Sequence, residues 1–402
     1  MKRRIVLLTI LLLVFSTVVV HADDTQENDG SLSGVVGVAA MYDSHFDLAN
    51  EFPNDTDGED EFIYQLDAKL GMKYSWGSNS RLEFDLQELA YWPYFHTEKS
   101  WYVSNGNLYF GFFFGANSIS MLDSVRYFVP AEKEETDLFR NSFTMAGKHK
   151  FSNLWEGLLG YENIINLHFD SAGNDYSMNG GFIELRNTWT PLVYTYYSFD
   201  CLYYIGNNQM TDPAILSPPN DGYRYSGKVG FDALFGIRHY LQGSYTFQRD
   251  RGDYLRPAMI GNTNVADNQM QPPPPDGRRP PPTPLEQVRG FEGEQASLEV
   301  DAEFNYAKHK ATLLYSIRFN ERFSASLYNE FIHKDFIPNG DMPPYFDGDR
   351  TDRLFLVSAW FTARTFGQLY AKTYYVLRAN IPSDDEDGVQ EHIASVGLEY
   401  RF

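Results

Sequence analysis

The chain has 402 residues, a formal net charge of −21, one cysteine and an aromatic share of 16%. The lone Cys201 excludes an intrachain disulfide and a cysteine-based metal cluster, and the acidic surplus excludes nucleic acid as partner, since phosphate binding needs stripes of Lys and Arg. A mean hydropathy of −0.41 does not separate a soluble protein from a barrel whose wet and greasy faces average out.

The first residues are Met1-Lys2-Arg3-Arg4, followed by the uncharged stretch Ile5 to Val20 and then Val20-His21-Ala22. A basic start, a short apolar core and a small-residue cleavage site have the pattern of a secretory signal peptide cut after Ala22. Residues 1–22 are therefore set aside, and 23–402 are expected to form one domain. No later stretch approaches the roughly 18 consecutive apolar residues of a spanning helix.

What recurs instead is a period of two. Phe62, Tyr64, Leu66, Ala68, Leu70, Met72 and Tyr74 alternate with Ile63, Gln65, Asp67, Lys69, Gly71 and Lys73. Leu82, Phe84 and Leu86 alternate with Arg81, Glu83, Asp85 and Gln87, and Leu298 to Tyr306 alternate with Ser297 to Asn305. Such alternation makes a strand with one apolar and one polar face. The runs are longer than the 5 or 6 residues usual in a sandwich and match the roughly 9–11 of a tilted spanning strand.

The pattern predicts strands over 32–42, 61–75, 80–92, 101–114, 117–128, 139–150, 153–168 and 179–189. A second set follows at 191–205, 223–235, 237–249, 295–318, 322–335, 351–364, 367–379 and 391–402. The expected fold is all-β, a transmembrane antiparallel up-and-down barrel of about sixteen strands, with fourteen to eighteen as the range. Across Lys308-His309-Lys310 the apolar phase flips, so a bulge or a hairpin is expected inside 295–318. Short turn signals at 76–80, 235–236, 320–322 and 365–367 alternate with long polar insertions at 43–60, 129–138, 169–178, 206–222, 251–291, 336–350 and 380–390. Tight turns at one end and large loops at the other are the outer-membrane layout.

The segment 251–291 carries Pro272 to Pro275, then Arg278-Arg279, then Pro280 to Pro282 and Pro284. Proline runs forbid ladder pairing and favour an extended rod. It is read as a mobile outer loop or, alternatively, as an inward constriction with Arg278 and Arg279 at its tip. The acidic stretches Asp55 to Asp60 and Asp384 to Asp387 are read as solvated loop charge, with loose Ca²⁺ binding as the alternative and no dedicated metal site.

No phosphate-binding glycine loop, nucleophile elbow or zinc-protease motif appears, so neither an enzyme nor a cofactor is expected. His149 in Lys148-His149-Lys150 and His309 in Lys308-His309-Lys310 are read as turn or interface residues. With the apolar rows facing lipid, Asp67, Lys69, Lys73, Glu83, Asp85, Glu299, Asp301, Glu303, Lys372 and Arg378 would line the lumen. The like-charged ladder Glu299-Asp301-Glu303 suggests a mild cation preference.

In the last strand Ala394, Val396, Leu398, Tyr400 and Phe402 form an apolar row, and the other face is polar or small apart from Ile393. This ending resembles the closing strand of Gram-negative outer-membrane barrels, which implies that Leu398, Tyr400 and Phe402 act as the insertion signal read by the barrel assembly machinery. Arg350-Thr351-Asp352-Arg353, Gly367 to Tyr375, Arg378-Ala379-Asn380 and Gly397 to Phe402 resemble the final strands of the surface lipoprotein assembly modifier group of porin-like barrels. That group carries helical repeats before its barrel, and no such repeat occurs in this sequence. The expectation is thus an outer-membrane porin for passive diffusion of small hydrophilic solutes, in contact with membrane lipid and lipopolysaccharide. The alternative is a non-conducting surface or export barrel. A homotrimer is common at this size, though no trimer face stands out in the sequence.

Overall fold

Every backbone N–H and C=O that enters hydrocarbon needs a partner within the protein, and an open sheet leaves two edges without one. This chain meets that demand by closing its sheet. The computed structural model describes residues 28–44, 61–77, 79–94, 100–130, 138–168, 176–206, 221–236, 238–252, 306–336, 351–382 and 389–402. In chain order the strands are β1 (Asn28–Asp43), β2 (Glu61–Trp76), β3 (Ser80–Pro93), β4 (Trp101–Phe114), β5 (Asn117–Pro130), β6 (Leu138–Lys150), β7 (Trp155–His168) and β8 (Tyr176–Thr190). They continue as β9 (Val193–Gly206), β10 (Asp221–Phe235), β11 (His239–Gly252), β12 (Tyr306–Arg318), β13 (Phe323–Phe336), β14 (Thr351–Phe366), β15 (Leu369–Pro382) and β16 (Val389–Arg401). Each pairs antiparallel with its sequence neighbours, and β1 meets β16 to close the barrel. The expected sixteen-strand, all-β, up-and-down architecture is the observed one.

Strands of 13 to 16 residues exceed what a tilted span requires. Their outer rows hold the expected apolar side chains: Phe62 and Tyr64 on β2, Phe110 and Phe112 on β4, Val396 and Leu398 on β16 are all exposed. Rings gather toward both ends of the wall. Tyr42 meets Phe62 and Tyr203 meets Tyr223, both tilted, at the end of the long connections, while Tyr74 meets Trp76 and Phe112 meets Phe114 at the other. Two such girdles are what the two membrane interfaces select, since an aromatic ring is at home where apolar and wet phases meet.

Among the described residues, tight turns sit at one end. Gly77, Gly115, Gly236 and Gly367 have φ between 55° and 64°, a left-handed backbone that glycine alone adopts without strain. β12 corrects the expected bulge or hairpin within its described part: its ladder with β13 runs unbroken from Tyr306 to Arg318. Ala311, Leu313 and Tyr315 face out and Tyr306 shares the inner row; residues 295–305 lie outside the described residues.

The seam is shorter than the other pairings of the first strand. β1 pairs with β2 from Asn28 to Asp43 but with β16 only from Val35 to Asp43. It is extended by Gly34 and Phe402, whose backbones exchange two hydrogen bonds of 2.9 Å. The Phe402 ring lies directly over Gly34, in the space a Cβ would take. Gly34→Leu should therefore overpack the seam and cost about 1–3 kcal/mol. The check is the temperature at which the unboiled, fast-migrating form on detergent gels converts to the unfolded band, which should fall; an unchanged transition would count against this account.

Candidate functional site

Strand alternation turns the remaining row of each strand toward the barrel interior, and that wall is the candidate site. Asp67, Lys69 and Lys73 on β2, Glu83 and Asp85 on β3, and Lys372 and Arg378 on β15 all lie on inner rows. Glu299, Asp301, Glu303, Arg278 and Arg279 lie outside the described residues, as do residues 1–22.

Much of the inner charge is matched locally. Arg81 bonds Glu83, and Lys69 Nζ stands 3.9 Å from Asp67. Lys148 reaches Glu156 at 3.1 Å, and Arg186 reaches both Glu156 at 3.5 Å and Glu184 at 3.2 Å. Glu399 accepts from Lys372 and, at 2.5 Å, from Arg401, whose guanidinium lies 4.1 Å from the centre of the Tyr370 ring. Neutral groups join in: Gln87 donates to Asp67, Ser226 to Asp200, and Tyr240 to Asp232. The result is a mesh of cross-strand polar contacts on the inner surface.

Like-signed side chains also meet across the ladder. Arg126 and Arg140 are direct ladder partners on β5 and β6, and Lys308 and Lys334 are partners on β12 and β13. Like charges side by side on one face repel unless an anion or a nearby carboxylate compensates them. Among the described inner-row side chains, basic groups outnumber acidic ones. The expected cation preference rested on Glu299, Asp301 and Glu303, which lie outside the described residues.

The histidine reading needs refining. His149 and His309 face outward, hydrogen-bonded to Asn117 at 2.7 Å and Tyr245 at 2.6 Å. Their lysine neighbours face inward, one residue away being the opposite side of the wall. Lys310 is buried and bonds the equally buried Glu330 at 3.1 Å. The site residues Glu184, Arg186, Lys310 and Glu330 were not singled out from sequence, although the alternation Ile183, Leu185 against Glu184, Arg186 carries the signal.

The inner wall is not uniformly polar. Met41, Ile63, Leu89, Tyr91, Val103 and Phe128 pack along β1 to β5, continuous with Leu314, Tyr328, Leu356, Val376 and Ile393 on β12 to β16. Ile393, the apolar exception on the polar face of the last strand, is 1% exposed within this cluster.

These features define a transmembrane β-barrel with a charged and partly apolar interior. The particular fold is one seen before. The chain is similar to the outer membrane channel DcaP of Acinetobacter baumannii, with a TM-score of 0.51 and 9% identity over 94% of this chain and 99% of that one. It also aligns with the anion-selective porin from Comamonas acidovorans (TM-score 0.46, 10% identity, 94% and 100% covered) and with OpdO of Pseudomonas aeruginosa (0.45, 9%, 93% and 97%). At such identities the likeness concerns the fold alone. No family profile and no curated protein sequence matches the chain.

Removing one partner of a buried ion pair strands the other charge. Lys310→Met should destabilise the barrel by about 3–5 kcal/mol, read as a lower urea midpoint for unfolding from lipid vesicles. Adding Glu330→Gln should restore much of that loss; no recovery would mean that Lys310 acts through some other contact.

Proposed function

We propose that this chain is a channel of the Gram-negative outer membrane through which small hydrophilic solutes diffuse without chemistry or cofactor. The observation that supports this best is the charge on the inner rows. A dry plug gains nothing from ion pairs, because apolar side chains of similar volume fill such space at no desolvation cost. Against a water-filled bore the same charges stay partly hydrated and shape the field that a solute meets. Export by residues 1–22 and recognition of Leu398, Tyr400 and Phe402 by the assembly machinery belong to the same proposal. An export role of the assembly-modifier type has less behind it: the residues that carry the resemblance, Gly367 to Tyr375 and Gly397 to Phe402, have ordinary duties in a turn and two strands.

The proposed channel prefers anions mildly, because basic side chains, Arg126 and Arg140 among them, outnumber acidic ones on the described inner rows. Planar-bilayer recording of the purified, folded protein under a salt gradient tests both statements. Stepwise conductance with a reversal potential displaced toward that of the anion is expected. Arg126→Glu with Arg140→Glu should move the reversal potential toward the cation side without abolishing the steps. Absence of any conductance from folded protein would favour the non-conducting barrel instead.

A further inference from the structure

Several inner-row bases toward the short-turn end have a carboxylate beside them. Arg81 has Glu83, Lys148 has Glu156, and Lys372 and Arg401 share Glu399. Four arginines on the consecutive strands β11 to β14 do not. Arg238 stands just before β11, Arg318 ends β12, Arg322 stands just before β13, and Arg364 lies near the end of β14. Among the described residues none of the four has an ion-pair partner.

These arginines meet in pairs. The Arg318 backbone N–H donates to the Arg238 carbonyl at 2.8 Å, and that of Arg364 to the Arg322 carbonyl at 2.8 Å. The next ladder partners, His239 with Ile317 and Phe323 with Ala363, are on the outward row, so both arginine pairs belong to the lumen-side row. On the outside of the same stretch of wall Phe319, Phe323 and Phe361 are exposed, and Phe323 stacks with Phe361 at 5.9 Å. Such a belt of rings marks the membrane interface. The arginines therefore stand where the bore meets water at its short-turn mouth, and Arg238, Arg322 and Arg364 are themselves exposed.

Like charges opposed on one face repel. Two of these guanidiniums are nonetheless held in place. Arg318 donates through Nε to the Asn320 carbonyl at 3.2 Å, and Arg364 through Nε to the Gly367 carbonyl at 2.5 Å. Each bond fixes a planar fork at a turn and leaves its terminal N–H groups for a ligand. Glu321, exposed in the turn between β12 and β13, is the one carboxylate in the segments 236–238, 318–322 and 364–368. The excess is local: the turns from β2 to β3, β4 to β5 and β8 to β9 carry no charged residue, and the chain as a whole has a net charge of −21.

We propose that this arc of the short-turn mouth binds a compact multivalent anion, a phosphoryl or polycarboxylate solute, held between Arg322 with Arg364 and Arg238 with Arg318. Guanidinium forks take phosphate or carboxylate oxygens two at a time. Strands about 4.8 Å apart set the four arginines along an arc of roughly 14 Å, which their long side chains can close around one small molecule. A monovalent ion would leave most of the charge on these turns unanswered, whereas a dianion or trianion matches it. The site names a solute class for the proposed channel and in that respect rests on that reading. Its binding chemistry does not require conduction.

The test uses the full chain, folded in uncharged detergent, and calorimetric titration with pyrophosphate and with citrate at constant ionic strength. Saturable binding of both is expected, and chloride at the same ionic strength should displace neither. Arg322→Gln with Arg364→Gln should weaken binding by about tenfold or more, the loss expected for a charge-assisted contact. Lys150→Gln, in another short turn, should change it by less than about twofold. The gel shift on heating reports that each variant is folded. No saturable binding, displacement by chloride, or affinity indifferent to the two glutamines would overturn the proposal. In planar bilayers, pyrophosphate on the short-turn side should block the wild-type channel and spare the glutamine pair. Binding without any conductance would sink the channel reading and leave the site; conductance without binding would sink the site and leave the channel.

Discussion

The fold depends on the requirement that no backbone hydrogen-bonding group meet hydrocarbon alone. Fifteen of the sixteen pairings join strands that follow one another in sequence. The last, β1 with β16, joins the two ends of the described chain and has no connection to guide it. Its register must come from side chains. Gly34 under the Phe402 ring supplies a steric lock, and the paired backbone bonds at that position carry the ladder past Val35 and Arg401.

Once the cylinder is closed, the two rows of each strand face unlike surroundings, and the charge pattern follows from that. Glu184 and Arg186 are two residues apart on one row, as are Glu399 and Arg401, so each pair shares the inner surface. Neighbouring strands then add Glu156, Lys148 and Lys372. Glu156, Glu184 and Glu399 thus each meet a cation either along the strand or across to the next. Such a mesh stiffens the wall while leaving it polar, because the bonds tie adjacent strands together and the charged heads stay at the surface of the bore. The apolar cluster from Met41 to Ile393 works differently: it packs inner side chains against one another and keeps water from that part of the wall.

How much of this was legible in the sequence follows from which signals are local. Strand positions come from a period of two and turn residues, both readable within a dozen residues, and β4, predicted and observed over 101–114, shows how closely that works. The inner rows of β2 and β3 are legible for the same reason. What is not legible is the partner across the ladder. Lys308 and Lys310 flank the histidine read as a turn or interface residue, and nothing local announces Glu330 on the next strand. Ile393 looked like an irregularity because the inner apolar cluster that explains it is assembled from ten strands.

The same limit applies to Glu88, Asp123 and Asn163, which a local reading scores as ordinary polar residues in a strand. Only register shows that they share rows with Leu86, Met121 and Tyr161 on the outside of the wall. A polar group on the inner row and one on the outer row have the same local signature but opposite implications. On the inner row, polarity answers to water in the bore. On the outer row it answers to neighbours in the wall, as Ser104 does for Glu88 and Asn141 for Asp123. The arc from β3 to β8 therefore differs from that of β15 and β16: its outer row ties strand to strand through polar side chains such as Glu88, Asp123 and Asn163, whereas Tyr375, Val396 and Leu398 present an apolar row.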